Sequence, residues 1–274
     1  MQPPSVPVET AAHAAVSALY VYPVKSCRGI RVAEAAVTAR GFARDRRWMI
    51  VDASGRFITQ RQLPELCLVH TALEPDAIVL TAPEAGSLRL PLAHEEGEER
   101  LVSVWRHEGK AVRHPEGSAW VTELLKRESS LVYMADRHER AVEPAWGRPD
   151  DRVSFADGFP FLLISEASLA GLNQRLEATI EMERFRPNIV VSGVGEFAED
   201  GWREVRLGAI GFRAAKRCSR CVVTTIDPAT GTKSKEPLRT LAGYRRWDND
   251  VWFGMNLIAD ATGTLCVGDV VSER

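Results

Sequence analysis

Residues 48–59, with the sequence Trp48-Met49-Ile50-Val51-Asp52-Ala53-Ser54-Gly55-Arg56-Phe57-Ile58-Thr59, are the clearest indication of the fold class. The apolar run at 48–51 ends at an Asp-Ala-Ser-Gly segment, whose residue types are typical of a turn. A second apolar run follows at 57–59. Two such runs joined by a short turn predict a β-hairpin, so we expect a chain dominated by β-structure.

Short strands of the same kind are predicted around this hairpin, separated by Gly, Pro and acidic turns, at 18–22, 67–72, 77–81, 87–91, 101–105 and 111–113. Even spacing of short strands is typical of a barrel or a rolled sheet. A helix is predicted over 118–126, where apolar residues follow helical spacing. We therefore expect an N-terminal β-barrel-like domain over residues 16–140.

The second half, beyond a charged, Pro-containing connection at 136–152, is also predicted to be rich in strands, at 161–164, 189–193, 210–212, 222–226, 256–259 and 265–271. One helix is predicted to begin at Ser165 and a short one after Pro237. The expected fold is mixed α+β, mainly β, and the second domain, also a β-barrel with a few helices, is expected over residues 141–274.

The composition limits the function classes. The 274 residues are 45% hydrophobic and 26% charged, as in an ordinary globular protein, and the net charge is -2. No global positive field is present to recruit nucleic acid or a membrane surface, so any anion site must be local. Five cysteines without framework spacing, and residues 1–16 without a signal pattern, predict a cytoplasmic protein.

The segment Cys218-Ser219-Arg220-Cys221 is the main candidate for chemistry, because a guanidinium beside a thiol stabilises the thiolate that binds metal or attacks an electrophile. A structural zinc site would need a second cysteine pair or spaced histidines, and none follows. A dithiol redox pair would open a helix, whereas 222–226 is a β-branched run that predicts a strand. Simple packing leaves Arg220 unexplained, so a metal site is favoured.

Three further segments can bind an anion. Lys25 and Ser26 follow a strand, Arg46 lies in a run of three arginines, and Arg186-Pro187-Asn188 precedes the strand at 189–193. Arginine forks match phosphate oxygens, and Pro187 fixes the backbone between its two neighbours. The alternative for the arginine run that contains Arg46 is a solvated charge run, and the alternative for Arg186-Pro187-Asn188 is a β-bulge with a surface arginine.

Together these motifs resemble the family of MOSC-domain proteins with an N-terminal β-barrel domain. The resemblance extends from about residue 16 to 272 and, within the family, includes the mitochondrial amidoxime-reducing components and related bacterial reductases. It is carried by Lys25-Ser26-Cys27, Asp45-Arg46, Ser165-Glu166-Ala167-Ser168-Leu169, Arg186-Pro187-Asn188-Ile189, Cys218-Ser219-Arg220-Cys221 with Thr225, Asp227-Pro228 and Gly231, and Val267-Gly268-Asp269.

The resemblance implies a molybdenum cofactor, Mo-molybdopterin or a nucleotide form of it. Cys221 would be the metal ligand and the catalytic residue, with Cys218 the less constant thiol. A soft thiolate suits molybdenum, and the cations suit the phosphate of the pterin. The implied cofactor-binding residues are Lys25, Ser26, Arg46, Asp157, Arg186, Asn188, Ser219 and Arg220.

The implied reaction is reductive removal of oxygen from small N-hydroxylated compounds: amidoximes, hydroxylamines and N-hydroxylated bases. The chain contains no ferredoxin-type C-x4-C-x2-C run and is expected to have no membrane anchor. We therefore expect a separate electron-transfer protein as donor: a ferredoxin, a cytochrome b5-like protein or a flavoprotein. Two other functions of the same cysteine stay open, a persulfide (sulfur) carrier and a carrier of the molybdenum cofactor.

Overall fold

The structure, a computed structural model, describes residues 13–273. Its strands in the first half are β1 (Ala15–Val21), β2 (Ile30–Val32), β3 (Glu34–Thr38), β4 (Gly41–Phe42), β5 (Trp48–Asp52), β6 (His70–Leu73), β7 (Ala77–Ala82), β8 (Gly86–Pro91), β9 (Glu99–Val104), β10 (His107–His114) and β11 (Ser129–Tyr133). Helix α1 (Pro115–Leu125) lies between the last two, and a 3-10 helix covers Pro64–Leu68.

The second half contains the strands β12 (Phe161–Ser165), β13 (Ile189–Ser192), β14 (Glu204–Leu207), β15 (Ile210–Ser219), β16 (Arg246–Trp247), β17 (Asp250–Ala259), β18 (Gly263–Cys266) and β19 (Val271–Glu273). Its helices are α2 (Glu166–Asn173) and α3 (Leu238–Ala242), with 3-10 helices at Met182–Phe185, Ala198–Asp200 and Val222–Thr225. Ser165 caps α2 by accepting a hydrogen bond from the amide of Ser168, as an N-cap serine does.

The largest sheet has the strand order β19-β14-β15-β17-β12-β13-β1-β2, with β16 beside β17. The N-terminal strand β1 therefore pairs with β13, antiparallel, with Leu19 opposite Ile189. Strand β18 likewise pairs with β3. The first strands of the chain thus share a sheet and a buried core with residues from the second half, Phe161, Phe212 and Leu257 among them.

The remaining strands form smaller sheets in the order β5-β11-β10-β9 and β6-β7-β8. They enclose a second core around Trp48, Leu66 and Leu131, against which α1 packs through Trp120 and Val121. The expected mixed, mainly β fold is confirmed. The division into domains at residue 140 stays a prediction.

The hairpin predicted at 48–59 is only partly formed. In the hairpin, the run 57–59 forms only a bridge from Val51 to Phe57, while β5 takes its regular partner from β11. The export-signal prediction falls mostly on residues 1–12, outside the described residues. Between residues 13 and 273 no α-helix has the length and apolar composition that a membrane crossing requires.

The predicted strand at 222–226 was wrong, because Val222–Thr225 is a 3-10 helix. The Thr224 amide and hydroxyl both donate to the Cys221 carbonyl, at 3.1 and 3.0 Å. The Thr225 hydroxyl donates to the Val222 carbonyl at 2.7 Å. Such local threonine bonds outweigh β-propensity here. At four residues, the segment is still too short to provide the α-helical N-terminus of a dithiol redox site.

Candidate functional site

A cavity of about 450 Å³ lies between the two halves of the chain, and the structure brings every predicted site residue to its wall. The residues that reach it are Lys25, Ser26, Arg46, Asp157, Arg186, Asn188, Ser219, Arg220 and Cys221. We call Lys25, Ser26, Arg46, Arg186 and Asn188 the anion end, and residues 218–221 the thiol end. Their assignment to a cofactor stays a prediction.

The thiol end lies where β15 finishes and the 3-10 helix begins. Cys221 is the N-cap of that helix, with extended backbone angles (φ -122, ψ 179), and both thiols are partly exposed. Arg220 donates from Nη1 to Cys218 Sγ at 3.0 Å and from Nη2 to the Phe185 carbonyl at 2.7 Å. The Arg220 guanidinium therefore donates to the Cys218 sulfur.

The cationic side chain in contact with Cys221 is that of Arg61, which the sequence analysis did not identify as a site residue. Nη2 of Arg61 lies 3.3 Å from Cys221 Sγ and 3.1 Å from Asp157 Oδ2. Asp157 Oδ1 in turn accepts from Lys25 Nζ at 2.5 Å. A continuous chain of polar contacts therefore runs from Lys25, at the anion end, to the Cys221 sulfur.

The ion pair of Lys25 and Asp157 is formed at the edge of the cavity. Burial lowers the pKa of Lys25 to about 8, although Asp157 opposes the shift. Desolvation raises the pKa of Asp157, but Lys25 and Arg61 outweigh it and hold that pKa well below its usual range. Near neutral pH the lysine is charged and the carboxylate ionised, so Lys25 can attract an anion.

The anion end is organised around the buried ring of Tyr22, a second residue that the sequence reasoning missed. The guanidinium carbons of Arg46 and Arg186 each lie 4.3 Å from the centroid of this ring. The Tyr22 hydroxyl donates to the Pro187 carbonyl at 3.0 Å. One aromatic side chain thus holds two cations close together, through contacts of the cation–π kind.

Arg46 is held by a buried polar network. Its Nη1 donates to Asp45 Oδ2 at 2.6 Å and to Asn188 Oδ1 at 3.1 Å, while Nη2 donates to the Arg186 carbonyl at 3.3 Å. Asp45 is 1% exposed and also accepts from the Tyr22 amide at 2.8 Å. These donors of Arg46 are therefore bonded to protein groups, and the side chain forms part of the cavity wall.

Two guanidinium nitrogens are available for a ligand. Arg186 Nη2 and Arg220 Nε are buried and have no hydrogen-bond partner within residues 13–273. Arg186 and Ser26 also adopt left-handed backbone angles, with φ of 55 and 72, a strained conformation that is typical of ligand-binding positions. Buried, unpartnered cationic donors fit the phosphate of the expected pterin.

The protein provides few metal ligands of its own. In the part of the chain from residue 13 to 273, no three His, Cys, Asp or Glu side chains cluster in a way that could hold a metal ion. A metal at Cys221 would need other ligands. That donor set fits a cofactor that carries sulfur ligands with it.

Comparison with known proteins gives two family matches: the MOSC N-terminal beta barrel domain over residues 13–128 and the MOSC domain over residues 150–272. Mitochondrial amidoxime-reducing component 1 of Homo sapiens is 37% identical over 280 residues, which are 93% of this chain and 82% of that protein. Mitochondrial amidoxime reducing component 2 of Bos taurus is 35% identical, with 94% and 82% covered.

Among solved structures, the YUAD protein from Bacillus subtilis matches 94% of this chain and 93% of its own, at 11% identity and a TM-score of 0.44. The two domain matches and the mitochondrial relatives cover nearly the whole chain. The chain therefore belongs to the family of MOSC-domain proteins with an N-terminal MOSC β-barrel domain, which includes the amidoxime-reducing components.

Proposed function

We propose that this protein is a molybdenum-cofactor-dependent reductase of N-hydroxylated compounds. The observation that carries the proposal is the joint placement of the Cys221 thiol and the unpartnered nitrogens of Arg186 and Arg220 around one cavity. The relatives named amidoxime-reducing components support the reductase and its substrate class. The cavity volume lies within the range of ordinary small-molecule sites.

At the anion end, Arg186 would bind the phosphate of the pterin through its unpartnered Nη2, and Lys25 would add a second charge. Arg46 and Asn188 would act mainly by keeping Arg186 in place, because their own donors are already bonded within the protein. Ser26, in its left-handed conformation, would line the same pocket. Each charged contact would contribute about 1.5 to 3 kcal/mol.

At the thiol end, Cys221 would be the protein ligand of the metal, and Ser219 and Arg220 would contact the pterin. When bound, the cofactor supplies two-electron redox chemistry at molybdenum. Partial exposure of Cys221 leaves space beside the ligand sulfur for a small substrate. The protein contributes binding, orientation and shielding from water.

Electrons would come from a separate redox protein of the ferredoxin, cytochrome b5-like or flavoprotein kind. The sequence has no glycine-rich dinucleotide fingerprint after a strand and no ferredoxin-type cysteine run. The cofactor-loaded chain should therefore be inert with NADH alone.

The test uses full-length protein purified from a host that makes the molybdenum cofactor. With reduced viologen as donor, the wild type should reduce benzamidoxime, and the Cys221→Ala variant should not. Turnover with NADH alone would contradict the separate donor. A protein that contains full molybdenum and intact Cys221 but fails with viologen would instead be a cofactor carrier, and one without molybdenum but with a persulfide on Cys221 would be a sulfur carrier.

A further inference from the structure

Arg61 makes a contact with the candidate metal ligand that the motif at 218–221 does not provide. Among residues 13–273, the hydrogen bond to Cys221 Sγ comes from this side chain, at 3.3 Å. Arg220, the arginine inside the motif, bonds to Cys218 instead. The cation of the reactive thiol is therefore supplied from the other half of the chain, 160 positions away.

The backbone around Arg61 is fixed by a polar turn. The Arg61 amide donates to Thr59 Oγ1 at 3.2 Å, and the Thr59 amide donates to Gln62 Oε1 at 3.0 Å. Gln60, which is 4% exposed, donates to the Ser26 carbonyl at 2.5 Å. Lys233 Nζ donates to the Arg61 carbonyl at 3.2 Å. The side chain therefore starts from a well-defined position.

The guanidinium itself is held on two further sides. Its carbon lies 4.6 Å from the centroid of the Trp105 ring, and Nη2 pairs with Asp157 at 3.1 Å. Trp105 is about half exposed and its φ is 58, so the turn between β9 and β10 places a large apolar ring at the cavity for this contact. A carboxylate, an indole face and a thiol thus meet one guanidinium.

We propose that Arg61 is a positioning residue for Cys221: it orients the sulfur before the cofactor arrives and limits the electron donation of this sulfur once it is a metal ligand. The inference rests on the proposed function for its second part. Hydrogen bonds to a ligand sulfur withdraw electron density from the metal, stabilise its reduced state and raise its reduction potential. Arg61 would thereby favour return of electrons to the metal between turnovers.

A simpler role for Arg61 is neutralisation of Asp157. That carboxylate already has Lys25 as a partner at 2.5 Å, and its side chain is 55% exposed, so its neutralisation does not depend on Arg61 alone. An Arg61→Lys variant separates the roles, because lysine keeps the charge but lacks the planar guanidinium that lies over Trp105 and directs Nη2 at both neighbours. Arg217→Gln is the matched control: it removes a guanidinium from the same cavity that bonds to Asp200.

The first measurement needs no cofactor. In cofactor-free protein on a Cys218→Ser background, alkylation of Cys221 by iodoacetamide at fixed pH is followed by peptide mass spectrometry. Arg61→Gln should slow the reaction several-fold, because the sulfur loses the hydrogen bond that orients it at the cavity through which the reagent enters. Arg61→Lys should restore part of the rate, and Arg217→Gln should leave it unchanged. Equal rates in wild type and Arg61→Gln, at unchanged thermal stability, would overturn the proposal.

The second measurement is the molybdenum reduction potential of loaded protein, from a redox titration followed by EPR. Arg61→Gln should shift it to lower values and change the molybdenum EPR signal, whereas a loss of fold alone would lower occupancy without moving the potential. An unshifted potential would overturn the second part. Wild-type protein without molybdenum would count against the proposed function, and the alkylation result would still decide whether Arg61 acts on Cys221.

Discussion

The two ends of the cavity differ in how completely the protein has prepared them. At the anion end, Asp45 and Asn188 are almost fully buried, and Arg46 and Arg186 share one aromatic ring. At the thiol end, Cys221 is partly exposed and accepts one long contact from Arg61. The anion end thus has the features of a preformed binding site, and the thiol end those of a site where ligands and substrate exchange.

This difference predicts which substitutions should reduce the stability of the fold and which should affect only the chemistry. At the anion end, removal of a side chain that pairs with a buried charge leaves that charge unpaired, so it affects folding as well as binding. Removal of a group from the open end leaves the fold intact and affects the chemistry alone.

The largest effect is expected from Cys221→Ala, which should abolish both molybdenum retention and amidoxime reduction while the thermal unfolding temperature stays near that of wild type. Cys218→Ser should keep most of both, since Cys218 accepts a hydrogen bond from Arg220 and Cys221 is the proposed metal ligand. Activity with reduced viologen and metal analysis check the pair. Equal metal loss in both variants would mean that two thiols form the site.

At the anion end, Arg46→Ala should destabilise the fold. The variant leaves the buried carboxylate of Asp45 without its cation, which costs about 3 to 5 kcal/mol. Urea unfolding of the cofactor-free protein measures the loss. Arg186→Ala is the control, because Arg186 makes no ion pair within residues 13–273. If both variants unfold at the same urea concentration as wild type, the polar network around Arg46 contributes little to the free energy of unfolding.

Arg186→Ala should weaken anion binding instead. Loss of its charge-assisted contact should reduce the free energy of sulfate binding to cofactor-free protein by about 1.5 to 3 kcal/mol. Calorimetry with sulfate as the probe gives the value, and Arg184→Ala, whose guanidinium pairs with Asp227 outside this cavity, is the control. Unchanged sulfate affinity in Arg186→Ala would show that its free nitrogen does not bind anions.

A smaller effect is expected from pH. Because burial lowers the pKa of Lys25 to about 8, the lysine holds its charge below that pH and loses it as the pH rises further. Sulfate stays fully ionised, so its affinity should fall several-fold as the pH passes through about 8. A Cys218→Ser/Cys221→Ser background removes both cavity thiols, and Lys25→Arg should abolish the fall. If the sulfate affinity of Lys25→Arg still falls as the pH rises, the titration of another group causes the fall.

The sequence was sufficient for residues whose role is local. Arg186 and Asn188 flank Pro187 directly before β13, and Lys25 and Ser26 lie in the loop after β1. Their position beside a strand was predicted from the sequence, and the family resemblance implied that they share one site. Every residue inferred from these motifs lines the cavity. The fold class followed from the spacing of short apolar runs in the same way.

Residues whose role depends on contacts with distant parts of the sequence could not be inferred. Tyr22 has the pattern of an ordinary strand residue, and its two cations come from positions 46 and 186. Arg61 lies in the polar run Thr59-Gln60-Arg61-Gln62, which could have been noted as a loop after the hairpin, but nothing local indicates that it faces Cys221. The 3-10 helix after Cys221 depends on threonine hydroxyls bonding to backbone carbonyls, which propensity does not reveal.

The central claim is that both ends of the cavity hold one molybdenum cofactor. The direct measurement is the molybdenum and pterin content of the full-length protein after purification from a cofactor-producing host and exhaustive dialysis. The claim predicts stoichiometric molybdenum and pterin in equal amounts in wild type and neither in the Cys221→Ala variant. Wild-type protein free of both, although well folded and expressed with the cofactor available, would contradict it.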